Sequence, residues 1–324
     1  MSRNDDGPTL GDILAARRRI AAVAYQTPLE AAETLSEVAG APVYLKLECW
    51  QRTRSFKVRG AYNAVAALPP QARERPLVTA SAGNHGQAIA LAAREFGARA
   101  LIYVPDTAPQ TKRQRILQLG ASLCAGGADY DEAERRARTH AQREGLTFVH
   151  AFSDPAVIAG QGTIGVEIAE ALPSVRDVIV PVGGGGLIAG VAVALRSMLE
   201  RVRVIGVQST QTRAMHAAFE AGRVVPVPVP PTLADGLAGG IDERAFRLAR
   251  RVVDEIVLVE EDEIAEAIRE LYQRNGVTAE GSAAVGVAAV LNGRITLRGP
   301  AAIVITGANI DAAQLATVLG DGAT

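Results

Sequence analysis

Lysine is nearly missing from this chain: Lys46, Lys57 and Lys112 stand against thirty-one arginines. Guanidinium does not lose its proton and cannot form a Schiff base. A lysine retained where arginine fills almost every other cationic position is therefore a candidate for amine chemistry, with a plain surface role left for two of the three. Cysteine is scarcer still. Cys49 and Cys124 are too few for a disulfide framework and fit a reducing cytoplasm. An excess of one charge is also lacking. The formal net charge is −1, so nothing favours nucleic acid or an anionic membrane surface as a partner. The sequence has no internal repeat and no low-complexity tract. Met1 to Pro8 are polar without an apolar centre, which argues against a signal peptide. One uncharged run, from Val178 to Leu195, approaches the length of a membrane span. Pro181 and the run Gly183-Gly184-Gly185-Gly186 would break such a helix in the middle. A strand, a glycine turn and a buried helix fit better.

What is present is a globular composition, 48% apolar and 21% charged over 324 residues, enough for about two domains. Apolar runs predict strands at 43–47, 77–79, 100–104, 147–150, 178–182, 202–207, 256–259 and 302–306. Helical patterns alternate with them at 10–23, 85–96, 110–119, 131–144, 187–195, 213–221, 243–251 and 261–274, with one more closing at 167–172 and another from Ser282. That alternation implies a parallel, doubly wound α/β architecture. Several strands are apolar throughout, as when helices cover both sheet faces. The proline-rich stretch 224–231 reads as an extended crossing. Ligands of such sheets sit beyond the carboxyl ends of strands. The turns after Thr79, Val182 and Thr306 are rich in Gly, Ser, Asn or Thr, so the site is expected there.

Three constellations carry the chemistry. Gly183 to Gly186 follow a strand and open a helix at Leu187, an arrangement in which bare backbone and free N–H groups hold a phosphate. Gly184, Gly186 and Ala189 also satisfy G-x-G-x-x-A, a dinucleotide pattern that needs an acid at the end of the next strand. Gln208-Ser209-Thr210 stand there instead, which removes most support for a nicotinamide enzyme. In Ser55-Phe56-Lys57-Val58-Arg59-Gly60, Lys57 lies between apolar neighbours that can desolvate its amine. In Ser81-Ala82-Gly83-Asn84-His85-Gly86-Gln87, small and polar residues at a helix start form an anion-accepting turn.

Together with Gly160-Gln161-Gly162-Thr163, Ala234-Asp235-Gly236, Ala279-Glu280-Gly281 and Thr306-Gly307-Ala308-Asn309, in that order, these segments resemble the threonine/serine dehydratases and serine racemase. These are fold-type II pyridoxal-phosphate enzymes, and the resemblance runs from about Leu10 to Leu315. It implies two doubly wound, mostly parallel open sheets of the tryptophan-synthase-β type. A large domain of 1–75 plus 148–324 and a small one of 76–147 would hold pyridoxal 5'-phosphate between them. Lys57 matches the Schiff-base lysine that also moves protons at the substrate Cα, with Phe56 near the ring. Asn84 matches the partner of the ring hydroxyl. Gly183, Gly184, Gly185, Gly186 and Leu187 match the phosphate cradle, and Thr306 the hydroxyl against the pyridine nitrogen. Ser81, Ala82, His85 and Asp235 fall on the substrate side. The implied reaction is β-elimination from L-threonine or L-serine to a 2-oxo acid and ammonia, in a cytoplasmic homo-oligomer acting on a small amino acid. Racemisation, elimination from another β-hydroxy-amino acid such as hydroxyaspartate, and a cofactor-carrying protein without turnover are the alternatives.

Three positions depart from the family pattern. Arg54 replaces the usual Gly before Ser-Phe-Lys and places a bulky cation near Lys57. Ala82 stands where the racemase has a second serine as its opposite-face base, which fits a dehydratase. Gln208 and Ala214 replace the Glu and Asp of the racemase cation site, so no metal is expected. The chain also stops soon after Thr306, which argues against a C-terminal regulatory domain and for a catabolic or specialised dehydratase.

Overall fold

A computed structural model describes residues 7–320; the first six residues of the polar N-terminal stretch lie outside them. The described residues form ten strands: β1 (Leu29–Ala31), β2 (Val43–Lys46), β3 (Leu77–Ala80), β4 (Ala100–Val104), β5 (Ser122–Ala125), β6 (Thr147–Phe148), β7 (Asp177–Pro181), β8 (Arg203–Ser209), β9 (Glu255–Val259) and β10 (Ala301–Val304). They make two sheets, β1-β2-β10-β7-β8-β9 and β5-β4-β3-β6. Among the described strands only the pairing of β1 with β2 is antiparallel. This is the expected pair of mostly parallel, doubly wound sheets.

Period-two alternation sorts the larger sheet's side chains into two cores. Ile179, Ile205 and Ile303 pack with Ile264, Ile268 and Val285, from helices Glu261–Asn275 and Gly281–Leu291. Val178, Val180 and Val204 face the other way, onto Ile164 and Ile168 of helix Pro155–Ala171 and Ile188 and Val191 of helix Gly186–Met198. In the smaller sheet Val78 and Ala80 pack on Ala137 and Ala141 of helix Tyr130–Glu144. Its opposite face, with Leu77 and Ile102, packs with Ile20, Val58, Ala61 and Tyr62, so helix Lys57–Ala67 joins the core of the smaller sheet. Lys57 therefore starts a helix that spans the junction of the two sheets.

The uncharged run from Val178 to Leu195 is β7, a glycine turn and the first part of helix Gly186–Met198. Among the described residues no helix is long and apolar enough to cross a membrane. Helix Leu10–Ile20 ends earlier than its pattern predicts, and is closed in front by a capping box between Thr9 and Asp12. β8 extends to Ser209, beyond the predicted end at Val207. Gln208 is thereby buried in the strand, and its Nε2 donates to the carbonyls of Val182 (3.0 Å) and Thr212 (2.7 Å).

Behind Lys57 lies a closed set of charges. Arg59 donates to Glu48 from Nε (2.7 Å) and to Glu167 from Nη1 (2.6 Å), and Lys46 Nζ lies 2.6 Å from Glu167. None of the four exceeds 5% exposure, and two cations balance two carboxylates. Burial pushes the Glu48 carboxyl up, but the Arg59 charge outweighs it and holds the pKa below the ordinary value. Lys46 is thus no surface residue, contrary to the sequence reading. It ties β2 to helix Pro155–Ala171, while Arg59 ties the Lys57 helix to both.

Candidate active site

One cavity of about 660 Å³ opens between the sheets, at the carboxyl ends of β3, β7 and β10. Every cofactor-side and substrate-side residue that the family resemblance implied lines it, from Phe56 and Lys57 to Thr306, and they reach it from different parts of the chain.

Phe56 and Lys57 come from the start of helix Lys57–Ala67. Their loop is stitched to the exit of β10: Phe56 N donates to the Thr306 carbonyl (3.0 Å) and Ala308 N to the Arg54 carbonyl (2.9 Å). Lys57 Nζ lies 5.3 Å from the Phe56 ring centroid and donates to the Ala151 carbonyl at 3.2 Å. Lys112, the third lysine, is paired with Asp235 at 2.5 Å, and neither is a free surface charge. Among the described residues Lys57 alone of the three has no carboxylate in ion-pair range. Burial lowers its pKa to about 8, with the Glu280 charge pulling weakly the other way. An amine so placed spends part of its time unprotonated and nucleophilic.

Ser81, Ala82 and Gly83 form the turn after β3, and Asn84 and His85 begin helix Asn84–Glu95, whose first N–H groups lack helical partners. His85 is buried and its Nε2 faces the Val149 carbonyl at 3.4 Å. Burial takes its pKa down to about 3, so the ring is neutral and offers no charge to an anion. Asn84 is held at both ends. Its Nδ2 donates to Glu280 (2.7 Å) and its Oδ1 accepts from Asn309 Nδ2 (2.6 Å). One amide N–H remains for a guest.

On the far wall Gly183 to Leu187 follow β7 and open helix Gly186–Met198. Gly185 has φ 89°, a left-handed conformation that side chains disfavour. A β-carbon on Gly184 would collide with the Phe152 ring, and one on Gly186 with the Phe152 carbonyl. The run is a bare backbone cradle at a helix N-terminus, a ready site for a phosphate.

Sequence comparison agrees with this geometry. Residues 20–307 match the pyridoxal-phosphate dependent enzyme family. The chain belongs to that family. An L-threonine ammonia-lyase of Thermotoga maritima is 48% identical over 316 residues, covering 97% of this chain and 79% of that protein. A catabolic L-threonine dehydratase of Escherichia coli is 38% identical over 96% of both chains. Among solved structures, maize serine racemase superposes with a TM-score of 0.92 at 28% identity over 98% of each chain. Threonine deaminase isoform 2 of Solanum lycopersicum gives a TM-score of 0.89 at 37% identity, covering 96% of this chain and 86% of that one.

This pyridoxal-phosphate dependent enzyme has the groups its cofactor requires. An amine without a carboxylate partner, a glycine cradle without side chains and the Asn84 amide all line one cavity. Sequence reasoning gave no role to several neighbours. Glu280 lies in a quoted motif, yet only the structure shows its carboxyl in the cavity, raised to about 7 by burial and then by the Asp235 charge. Phe152 and the Ala151 carbonyl belong to an irregular connection with no pattern to flag them. Arg54 does not line the cavity; it is exposed, with φ 55°, and the left-handed backbone explains the family's Gly there. Among the described residues no group of three or more His, Cys, Asp or Glu is gathered as for a metal.

Proposed function

We propose that this enzyme is an ammonia-lyase that eliminates water from L-threonine or L-serine and releases a 2-oxo acid and ammonia. The observation that carries the proposal is the amine of Lys57, desolvated and without a carboxylate partner, between the glycine cradle and the Ser81–His85 turn. The kinship with L-threonine ammonia-lyases and dehydratases supports the substrate.

Bound pyridoxal phosphate supplies an electron sink that makes the Cα–H bond of an amino acid acidic. The protein's part is to hold, orient and exchange protons. Backbone N–H groups of Gly183 to Leu187 hold the phosphate. The free N–H of Asn84 is a donor for the ring hydroxyl, and the Thr306 hydroxyl the proposed partner of the ring nitrogen. Lys57 takes the proton from Cα, and its lowered pKa lets the amine both accept and return it near neutral pH. With His85 neutral, the substrate carboxylate falls to the backbone N–H groups of the Ser81–His85 turn. Phe56 borders the ring site, and Asp235 with Lys112 closes the substrate side.

The charges around the cavity favour a substrate with one carboxylate. Among the described residues Asp129, Asp131, Asp235 and the partly ionised Glu280 line it against only Lys57 and Lys112, and Lys112 is already paired with Asp235. A second carboxylate, as in hydroxyaspartate, finds no free cation there. Ala82 supplies no proton-carrying group where the racemase has its second serine. We further propose that residues 1–75 with 148–324 and residues 76–147 act as the two domains, and that the enzyme works as a homo-oligomer.

The test is ammonia and 2-oxo acid release from L-threonine, L-serine, D-serine and 3-hydroxyaspartate, with wild type and Lys57→Ala. We expect turnover of threonine or serine, weak turnover of the dicarboxylate, and a loss of about a thousand-fold or more in the variant. Cofactor binding without release from any of the four would make this a binding protein and sink the proposal.

A further inference from the structure

We propose that His150, held by Glu134, is a positioning residue for both halves of the cofactor site, because it fixes the segment that touches Lys57 and the glycine cradle at once. The inference rests on the reading that Lys57 carries the cofactor. The segment is 149–153, the return from β6 of the smaller sheet to helix Pro155–Ala171 of the larger one. It has no regular structure, so its backbone groups need other partners.

His150 supplies them. Its Nδ1 accepts from Phe152 N (3.2 Å) and Ser153 N (3.1 Å). A nitrogen that accepts two N–H bonds carries no proton, so the ring proton sits on Nε2. That Nε2 lies 3.5 Å from Glu134 Oε1, and Arg138 Nε donates to the same oxygen at 2.7 Å. Burial raises the Glu134 pKa, but bonds from His150 and Tyr130 outweigh it and hold the pKa at about 2, so the acceptor stays anionic. The ring is wedged edge-on against Phe152, centroids 4.4 Å apart.

Two contacts of the site leave from the residues His150 fixes. The Ala151 carbonyl is the acceptor for Lys57 Nζ. The Phe152 ring and carbonyl fill the space that β-carbons on Gly184 and Gly186 would need. Releasing the two N–H groups from Nδ1 therefore shifts the amine's partner and the cradle's backing together. Glu134 lies on helix Tyr130–Glu144, which packs under the smaller sheet, so that helix acts on the lysine without touching it.

The experiment compares His150→Asn, which keeps an acceptor near the Nδ1 position, with His150→Leu, which fills the volume without one. Pyridoxal-phosphate affinity is read by fluorescence titration of cofactor-free protein, the absorption maximum on loaded protein, and Tm on both. We expect His150→Leu to weaken cofactor binding about ten-fold and move the absorption maximum, and His150→Asn to restore most of both. Wild-type affinity and absorption in His150→Leu, with only a lower Tm, would make the histidine structural and overturn the inference. Should the leucine variant not fold, His150→Gln, whose acceptor sits further out, takes its place; affinity equal to that of His150→Asn would be equally fatal. Because the readout is cofactor binding, a wild type that binds pyridoxal phosphate but eliminates nothing sinks the reaction proposed above and leaves this inference standing. Unchanged binding in Lys57→Ala removes the reading on which it rests.

Discussion

Lys46 and Lys57 flank one short loop, and their surroundings differ in a single respect. Lys46, 2% exposed, meets the Glu167 carboxylate and the Thr27 carbonyl, each at 2.6 Å. Lys57 has only the Ala151 carbonyl at 3.2 Å. The first belongs to a neutral set of four charges that holds elements together. The second is left without an anion, and burial lowers its pKa from 10.5 to about 8. The same side chain, buried in one place and half-buried in the other, is mortar in the first and, in the function proposed above, reagent in the second. What separates the roles is whether a carboxylate is supplied.

The comparison can be broken most severely at the network. Glu167→Ala leaves Lys46 and Arg59 facing Glu48 alone, and unpairing a buried charge costs about 3–5 kcal/mol. Urea unfolding should show a loss of that size; a loss under about 1 kcal/mol would mean that water or relaxation compensates the charge. A smaller effect of opposite sign is expected at the other lysine. In cofactor-free protein at pH 7 Lys57 is charged in both folded and unfolded states, and burying it is a penalty. Lys57→Met removes that penalty and should raise Tm. As pH rises past about 8 the folded amine sheds its proton and the penalty fades, until it is gone near 10.5. A Tm advantage of Lys57→Met that does not shrink between pH 8 and pH 10.5 contradicts the assignment.

Glu280 sharpens the contrast from the acid side. Its folded pKa is raised to about 7 from 4.5, so the folded protein holds the proton more tightly. Its contribution is full below pH 4.5 and is lost as pH rises through 7. Glu280→Gln should flatten the Tm–pH curve of cofactor-free protein across that window; an unaltered slope assigns the slope to other groups. The least effect is expected at Arg54. Replacing this left-handed residue by Gly relieves about 1 kcal/mol of backbone strain and, since Arg54 lies off the cavity, leaves kcat and KM unchanged. A changed KM for any substrate would bring its guanidinium back into the site.

How far the sequence reached depended on range. β7 and its glycine turn were legible because apolar run, glycines and helix are adjacent along the chain. β1 and β5 were not. The first has three residues, and the second has exposed ends, so neither shows a period. Helices Glu33–Ala39 and Ala312–Gly320 were passed over as well. In the site, scarcity brought three lysines into view, the family motif around one of them chose Lys57, and the glycine run singled out Gly183 to Gly186, all local signals. Scarcity misjudged Lys46 and Lys112, because their partners Glu167 and Asp235 are distant in sequence. The Glu280 carboxyl was equally out of reach: its partners Asn84 and Asn309 arrive from two other segments.

The placement of Phe152 has a consequence for how this chain can change over generations. Its ring and carbonyl occupy the positions where side chains at 184 and 186 would begin, and the left-handed backbone closes 185 to most alternatives. Sites 184 and 186 are thus restricted to a one-letter alphabet by a residue far upstream, and 185 to a short one by its own backbone. Drift at Gly184 is barred for as long as the phenyl ring remains at 152, so position 184 can change only after, or together with, position 152.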